Sequence, residues 1–109
     1  MKARKLDHKT ILALDPNRAY RFWRDAFDLP QTGAQTDRRL TLDGEEIHFV
    51  EGQPAGPFEI LVRDHQTELR QHLANNFIPI EKEEERFNNK IAFYIRDSEG
   101  NQVILEANQ

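Results

Sequence analysis

Imidazoles carry most of the chemistry open to this sequence, which has four histidines, no cysteine and one serine, Ser98. His48 lies in the stretch DGEEIHFVEG, Asp43 to Gly52, between Ile47 and Phe49 and four residues after the glycine of a predicted hairpin turn. Successive side chains of a strand point to opposite faces. With Ile47 and Phe49 turned toward a core, His48 therefore points the other way, and by the same alternation His8 shares a face with Thr10 and Leu12. An imidazole in such a place can ligate a metal or carry a proton near neutral pH. His65 and His72 fall on a predicted helix, where capping and a partly exposed face account for them. Near the other end the pattern of glycine, two polar residues and an alternating strand recurs as SEGNQVILEA, Ser98 to Ala107. The position matching His48 is Ile104, with Glu106 two residues on and on the same face.

The elements that must position these residues read as two copies of one order. Leu6 to Leu14 is strand-like and stops at Asp15-Pro16-Asn17, where Asp15 caps a helix with proline at its first position. Ala19, Phe22, Trp23, Ala26 and Phe27 form its apolar face, with Arg18, Arg21, Arg24 and Asp25 opposite, and Leu29-Pro30 ends it. A hairpin follows: Arg38 to Leu42, the turn Asp43-Gly44, then Ile47 to Val50. The Pro/Gly-dense stretch Gln53 to Pro57 marks the boundary between halves. After it come a strand, Phe58 to Val62, a capping position at Asp64, and a helix face of Leu69, His72, Leu73, Asn76 and Phe77. A second hairpin, Ile91 to Ile95 and Val103 to Leu105 around Asp97 to Gly100, closes the repeat. The charged run Glu81 to Arg86 reads as a solvated strand edge or loop.

Bulk properties exclude several functions. At 109 residues the chain has room for one domain. Thirty-one per cent charged residues with a net charge of −4 disfavour nucleic acid, whose binding needs a basic surface. Without cysteine there is no disulfide framework or thiolate chemistry, which fits a reducing, cytoplasmic setting. No apolar run approaches the roughly 18 residues of a membrane span, and MKARKLDHKT lacks the apolar stretch of a signal peptide. Neither Gly-x-Gly-x-x-Gly nor Gly-x-x-x-x-Gly-Lys occurs, so no nucleotide cofactor is expected, and the absence of Gly-x-Ser-x-Gly removes serine hydrolase chemistry.

Three segments together resemble the vicinal oxygen chelate superfamily, which holds glyoxalase I, extradiol dioxygenases, fosfomycin-resistance enzymes and bleomycin-binding proteins. They are Asp7-His8-Lys9-Thr10-Ile11, Asn17 with Phe22 to Leu29, and Phe93 to Asn101, and the likeness covers essentially the whole chain. It implies a single α+β domain of two tandem βαβββ modules, residues 1–52 and 58–109 joined by a linker at 53–57, forming a curled mixed sheet around a cleft. Asp28 stands where the family has glycine, a departure that concerns a helix end. The resemblance also implies four strand positions for a metal. Two match His8 and His48; the third matches Glu59 if Ile60 and Val62 face the core, or Phe58 if counted back from the helix end. The fourth, a glutamate in the family, is Ile104, with Glu106 as its substitute.

Two imidazoles and a carboxylate are chemically sufficient for Fe, Mn, Zn or Ni, leaving open positions for a bidentate substrate. Such a metal would act as a Lewis acid on a small molecule with vicinal oxygens, in a lyase, isomerase or dioxygenase reaction, with cleft carboxylates as candidate bases. The alternative is a metal-free module that sequesters an aromatic or amphipathic small molecule, as the bleomycin-binding relatives do. A third reading is an interaction domain. His8 and His48 favour the first; Ile104 favours the second. A homodimer is expected in either case, because half of this chain is too small to cover its own sheet and the short linker limits how one half folds back on the other.

Overall fold

A computed structural model describes residues 1–109, apart from the side chain of Gln35. The N-terminal segment forms two strands rather than one: β1 (Ala3–Leu6) and β2 (Thr10–Ala13), separated by a bend at residues 7–9. The break lets one stretch of chain serve two sheets. β1 pairs antiparallel with β6 (Phe58–His65), and β2 pairs parallel with β5 (Glu45–Glu51).

Asp15 caps α1 (Pro16–Ala26), accepting hydrogen bonds from the backbone N–H groups of Asn17 at 3.1 Å and Arg18 at 3.2 Å, with Pro16 opening the helix. After α1 come β3 (Gln31–Thr32), a short 3-10 turn at Gln35–Asp37, β4 (Arg39–Leu42) and β5. The turn between β4 and β5 needs two left-handed residues, and Asp43 (φ 53°) and Gly44 (φ 75°) supply them. This first sheet has the order β2-β5-β4-β3. The second half repeats the plan with β6, α2 (Gln66–Asn75), β7 (Lys82–Arg86), β8 (Lys90–Arg96) and β9 (Gln102–Asn108). Its sheet runs β1-β6-β9-β8-β7, so the charged run is an edge strand.

The expected curled sheet around a cleft does not form. There are two open mixed sheets, and among the described residues neither has its outer strands paired with each other: β1 and β7 stay apart in one, β2 and β3 in the other. Closure needs edges long and regular enough to pair. β3 has only two residues, and every residue of β7, Lys82-Glu83-Glu84-Glu85-Arg86, is charged.

One helix covers one face of each sheet. Trp23 and Phe27 of the α1 side are fully buried with Leu40 and Ile47, while Leu69 and Leu73 of α2 pack with Ile60, Phe93 and Leu105. Each such side chain contributes about 1.5–3 kcal/mol by leaving water. Trp23 joins the halves, its ring 6.0 Å from both Phe49 and Phe58. Three local expectations are corrected. Tyr20 is buried on the α1 face, edge-on to Phe49, while Phe22 is only partly buried against Phe27. The cap of α2 is His65, whose imidazole accepts from the N–H of Thr67 while Glu68 returns to the N–H of His65; Asp64 is buried and instead accepts from the N–H of Lys2 at 2.7 Å. Because α2 stops at Asn75, Phe77 leaves the helical period, adopts φ 58° and is 92% exposed, and Ile78 takes the inward place. No helix is long and apolar enough to cross a membrane.

Candidate functional site

The helices leave one face of each sheet open, and strand register decides what lies there. In the first sheet His48 is flanked by Thr10 on β2 and Arg39 on β4. In the second, Ile104 is flanked by Glu59 on β6 and Tyr94 on β8. By register, Ile104 is thus the equivalent of His48, and Glu59 the equivalent of Thr10. His8 lies two residues earlier, in the bend. On β6 the buried residues are Phe58, Ile60, Val62 and Asp64, so Glu59 is on the open face.

His48 is half exposed, with Nε2 3.5 Å from the Glu46 carboxylate, which also accepts from Arg39 at 3.2 Å. His8 has different company. Its Nδ1 lies 2.6 Å from Asp7 Oδ1, and its ring meets Phe58 edge-on at 4.9 Å. Asp7 in turn is tied to β6: its carboxylate accepts from the N–H of Glu59 at 2.9 Å, and its own N–H donates to the Glu59 carbonyl at 3.2 Å. The bend therefore holds His8 beside the second sheet, while His48 sits within the first.

The most connected group on the open face of the second sheet is one that the sequence reading passed over. Arg86 of β7 donates through Nη1 to both Glu59 and Glu106, the latter at 2.9 Å, and through Nε to Glu84 at 3.3 Å. Tyr94 adds its hydroxyl to Glu84 at 3.2 Å. Burial works against the guanidinium charge, but the hydrogen bonds to Glu106 and Glu59 outweigh it, and the pKa of Arg86 rises above the usual arginine value. Arg86 also borders an open groove of about 790 Å³, together with Arg4, Phe87, Asn88, Lys90 and Glu106. The signal in the sequence was the alternation within KEEER, which puts Lys82, Glu84 and Arg86 on one face. Which face that is depends on the pairing of Glu84 with Ala92, a contact that no local pattern states.

Of the four residues expected around a metal, the structure unites only Glu59 and Glu106, and it unites them on Arg86. Among the described residues no three His, Asp or Glu side chains converge to hold a metal ion. The carboxylates of the second half already have a cation, and Ile104 offers no donor atom. The residues present do not fit a three-ligand centre.

A second polar cluster explains the motif near the chain's end. Asp97 accepts through Oδ2 from the indole N–H of Trp23 and the Asn101 amide, each at 3.0 Å, and through Oδ1 from the N–H groups of Glu99 and Asn101 at 2.9 Å. Asn101 also donates to the Leu12 carbonyl and accepts from the N–H of Ala55 in the linker. Glu99 accepts from the N–H of Asp15 at 2.8 Å, from Arg18 Nε and Nη2 at 2.7 and 3.0 Å, and from Ser98 at 2.8 Å. The Arg18 bond leads in lowering its pKa to about 2, against the opposing effect of burial, with Asp15 and Ser98 helping. Asp97, Glu99 and Asn101 are buried with their side-chain polar atoms all bonded, so the motif locks the last hairpin to α1.

No protein-family model matches the chain, and no curated protein matches it by sequence. Solved structures do share its fold. A lactoylglutathione lyase from Agrobacterium tumefaciens superposes with a TM-score of 0.70 at 19% identity, over 90% of this chain and 89% of that one. A virulence protein from Salmonella typhimurium superposes at 0.72 and 16% identity over 100% of both chains. A variant of the fosfomycin resistance protein FosX from Listeria monocytogenes, in complex with manganese(II) and dihydroxypropylphosphonic acid, superposes at 0.68 and 18% identity, over 96% of this chain and 90% of that one. The chain has the glyoxalase and fosfomycin-resistance fold that its motifs resemble.

Proposed function

We propose that this chain is a vicinal oxygen chelate protein that binds a small organic molecule over its open sheet faces without a metal ion. The observation that carries this reading is the bonding of Glu59 and Glu106 to Arg86. A divalent ion at that face would have to displace a guanidinium that is charged at any working pH and bonded to three carboxylates. The FosX complex contains manganese; here the comparable chemistry lacks a donor at Ile104 and a free carboxylate at Glu59.

What remains suits binding. The groove beside Arg86, at about 790 Å³, lies within the roughly 300–1,000 Å³ typical of small-molecule pockets. Phe87, 93% exposed, offers an aromatic surface at its rim, and Arg4 and Lys90 offer hydrogen-bond donors. An amphipathic ligand can stack on Phe87 and direct its acceptors to these donors. The metal-dependent enzyme reading would need His8, His48 and Glu59 in one coordination set.

Two measurements on the purified chain decide between them. Elemental analysis after dialysis against Mn(II), Zn(II) and Ni(II) is expected to find far less than one metal per chain. Calorimetric titration with bleomycin, as an amphipathic probe, is expected to show binding that EDTA leaves unchanged. Stoichiometric metal that disappears in a His8→Ala/His48→Ala double variant would overturn the metal-free reading in favour of the enzyme. We further infer a homodimer, supported by the two sheet faces that no helix of the same chain covers.

A further inference from the structure

We propose that Arg86 is a built-in cation, standing where a divalent ion would otherwise bridge Glu59 and Glu106, so that this face is a metal site closed by its own side chain. The inference rests on the metal-free reading and goes beyond it by predicting that a divalent-cation site appears on this face once Arg86 is removed.

The geometry is specific. Two carboxylates, one from β6 and one from β9, converge on a single nitrogen, Arg86 Nη1, and a third, Glu84, holds Nε from within β7 itself. Glu59 and Glu106 are on neighbouring parallel strands and on the same face, so their approach is set by the sheet and not by flexible loops. Three carboxylates meet this guanidinium, and even with Lys82 Nζ 3.9 Å from Glu84 they leave an excess of negative charge that Arg86 must hold together. Removing a guanidinium from partly buried carboxylates leaves charges that repel each other and seek a replacement. Hard divalent cations need little more than this, since Mg(II) and its analogues commonly bind through one or two carboxylates with water completing the shell. Arg86 does what such an ion would do for the charge, but a guanidinium has no vacant coordination position. It can donate hydrogen bonds to a ligand and cannot chelate one.

The same reasoning makes the neighbours intelligible. Tyr94 braces Glu84, and Glu84 in turn fixes the guanidinium plane, so the cation is oriented as well as neutralised. Ile104, beside Glu59 in register, is 6% exposed and fills the space that a fourth oxygen ligand would take.

The experiment is titration with Mn(II) alone, followed by electron paramagnetic resonance of the free ion. The wild type, Arg86→Met, Arg86→Gln and Arg86→Lys chains are compared, each checked for native circular dichroism and melting. We expect wild type and Arg86→Lys to show no saturable site tighter than about 1 mM, the weak end of carboxylate sites. Arg86→Met is expected to bind one ion at least tenfold more tightly, and Glu59→Gln or Glu106→Gln in that background should abolish the gain. If Arg86→Met does not fold, Arg86→Gln, which keeps a planar donor, carries the comparison. A folded Arg86 variant that binds Mn(II) no better than wild type overturns the proposal. So does saturable binding by the wild type that Glu59→Gln removes. A wild-type site lost on His8→Ala/His48→Ala but indifferent to Glu59→Gln would instead overturn the metal-free function while leaving the role of Arg86 standing.

Discussion

A carboxylate that accepts from Arg18, Asp15 and Ser98 at once, as Glu99 does, stays ionised deep into acid. Its pKa is depressed, from 4.5 to about 2, so the stability it contributes is fully present above the ordinary glutamate range and is lost as pH falls through the folded value. We predict that stability to urea declines between pH 4.5 and about 2, and that Glu99→Gln flattens this acid limb while lowering stability at neutral pH by about 2 kcal/mol. An acid limb equally steep in the variant would disprove the assignment. Asp97 supports a sharper test. Both of its oxygens accept only from N–H donors, so Asp97→Asn must aim an amide N–H at another donor whichever way it turns. We expect a loss of about 2–3 kcal/mol in urea denaturation, with a change in Trp23 fluorescence. The Asp and Asn of this turn were visible in the sequence because the bonds that shape the turn, from the N–H groups of Glu99 and Asn101 and the Asn101 amide to Asp97, are local, whereas their bonds to Trp23, Leu12 and Ala55 are not. The reach of Glu99 to Arg18 and of Arg86 to Glu59 was not, because it depends on how distant strands register.

At the level of elements, periodicity located both helices and both hairpins, since these patterns are set by neighbours a few residues apart. It failed at ends. One strand was expected from Leu6 to Leu14, but the chain starts pairing at Ala3 and breaks at the bend, because the two stretches serve different partners. Asp64 and His65 show the same limit. By type Asp64 is the preferred helix cap, yet His65 takes the place because Asp64 is recruited by the N–H of Lys2. Their alanine variants should therefore fail differently. His65→Ala is expected to cost about 1 kcal/mol and to speed hydrogen exchange in the first turn of α2. Asp64→Ala should instead speed exchange along β1 and at Arg63, whose N–H donates to the Lys2 carbonyl. Identical exchange profiles would mean that Asp64 shares the cap after all.

At the scale of the molecule, a radius of gyration of 13.2 Å is that of one compact body, close to the roughly 13 Å expected for about 100 residues. The two halves of a chain pack on each other through Trp23, and the faces that the helices do not cover are the surfaces on which we expect two chains to associate. We expect static light scattering at tens of micromolar to report twice the 12.8 kDa chain mass. A monomer would show that the uncovered faces tolerate water, and that one chain forms the whole binding surface. The bend at residues 7–9 has a consequence for synthesis. β2 can join β5 as soon as the first half has emerged from the ribosome, but Ala3 must wait for Val62, which at about 5–20 residues per second follows the end of β5 by about 0.5–2 s. During that interval β1 is an unpaired edge trailing from an assembled sheet. The nascent chain then offers an open strand edge to its neighbours on a polysome, and the sheet that β1 joins is complete only when β9, the last of its strands to be made, reaches β6.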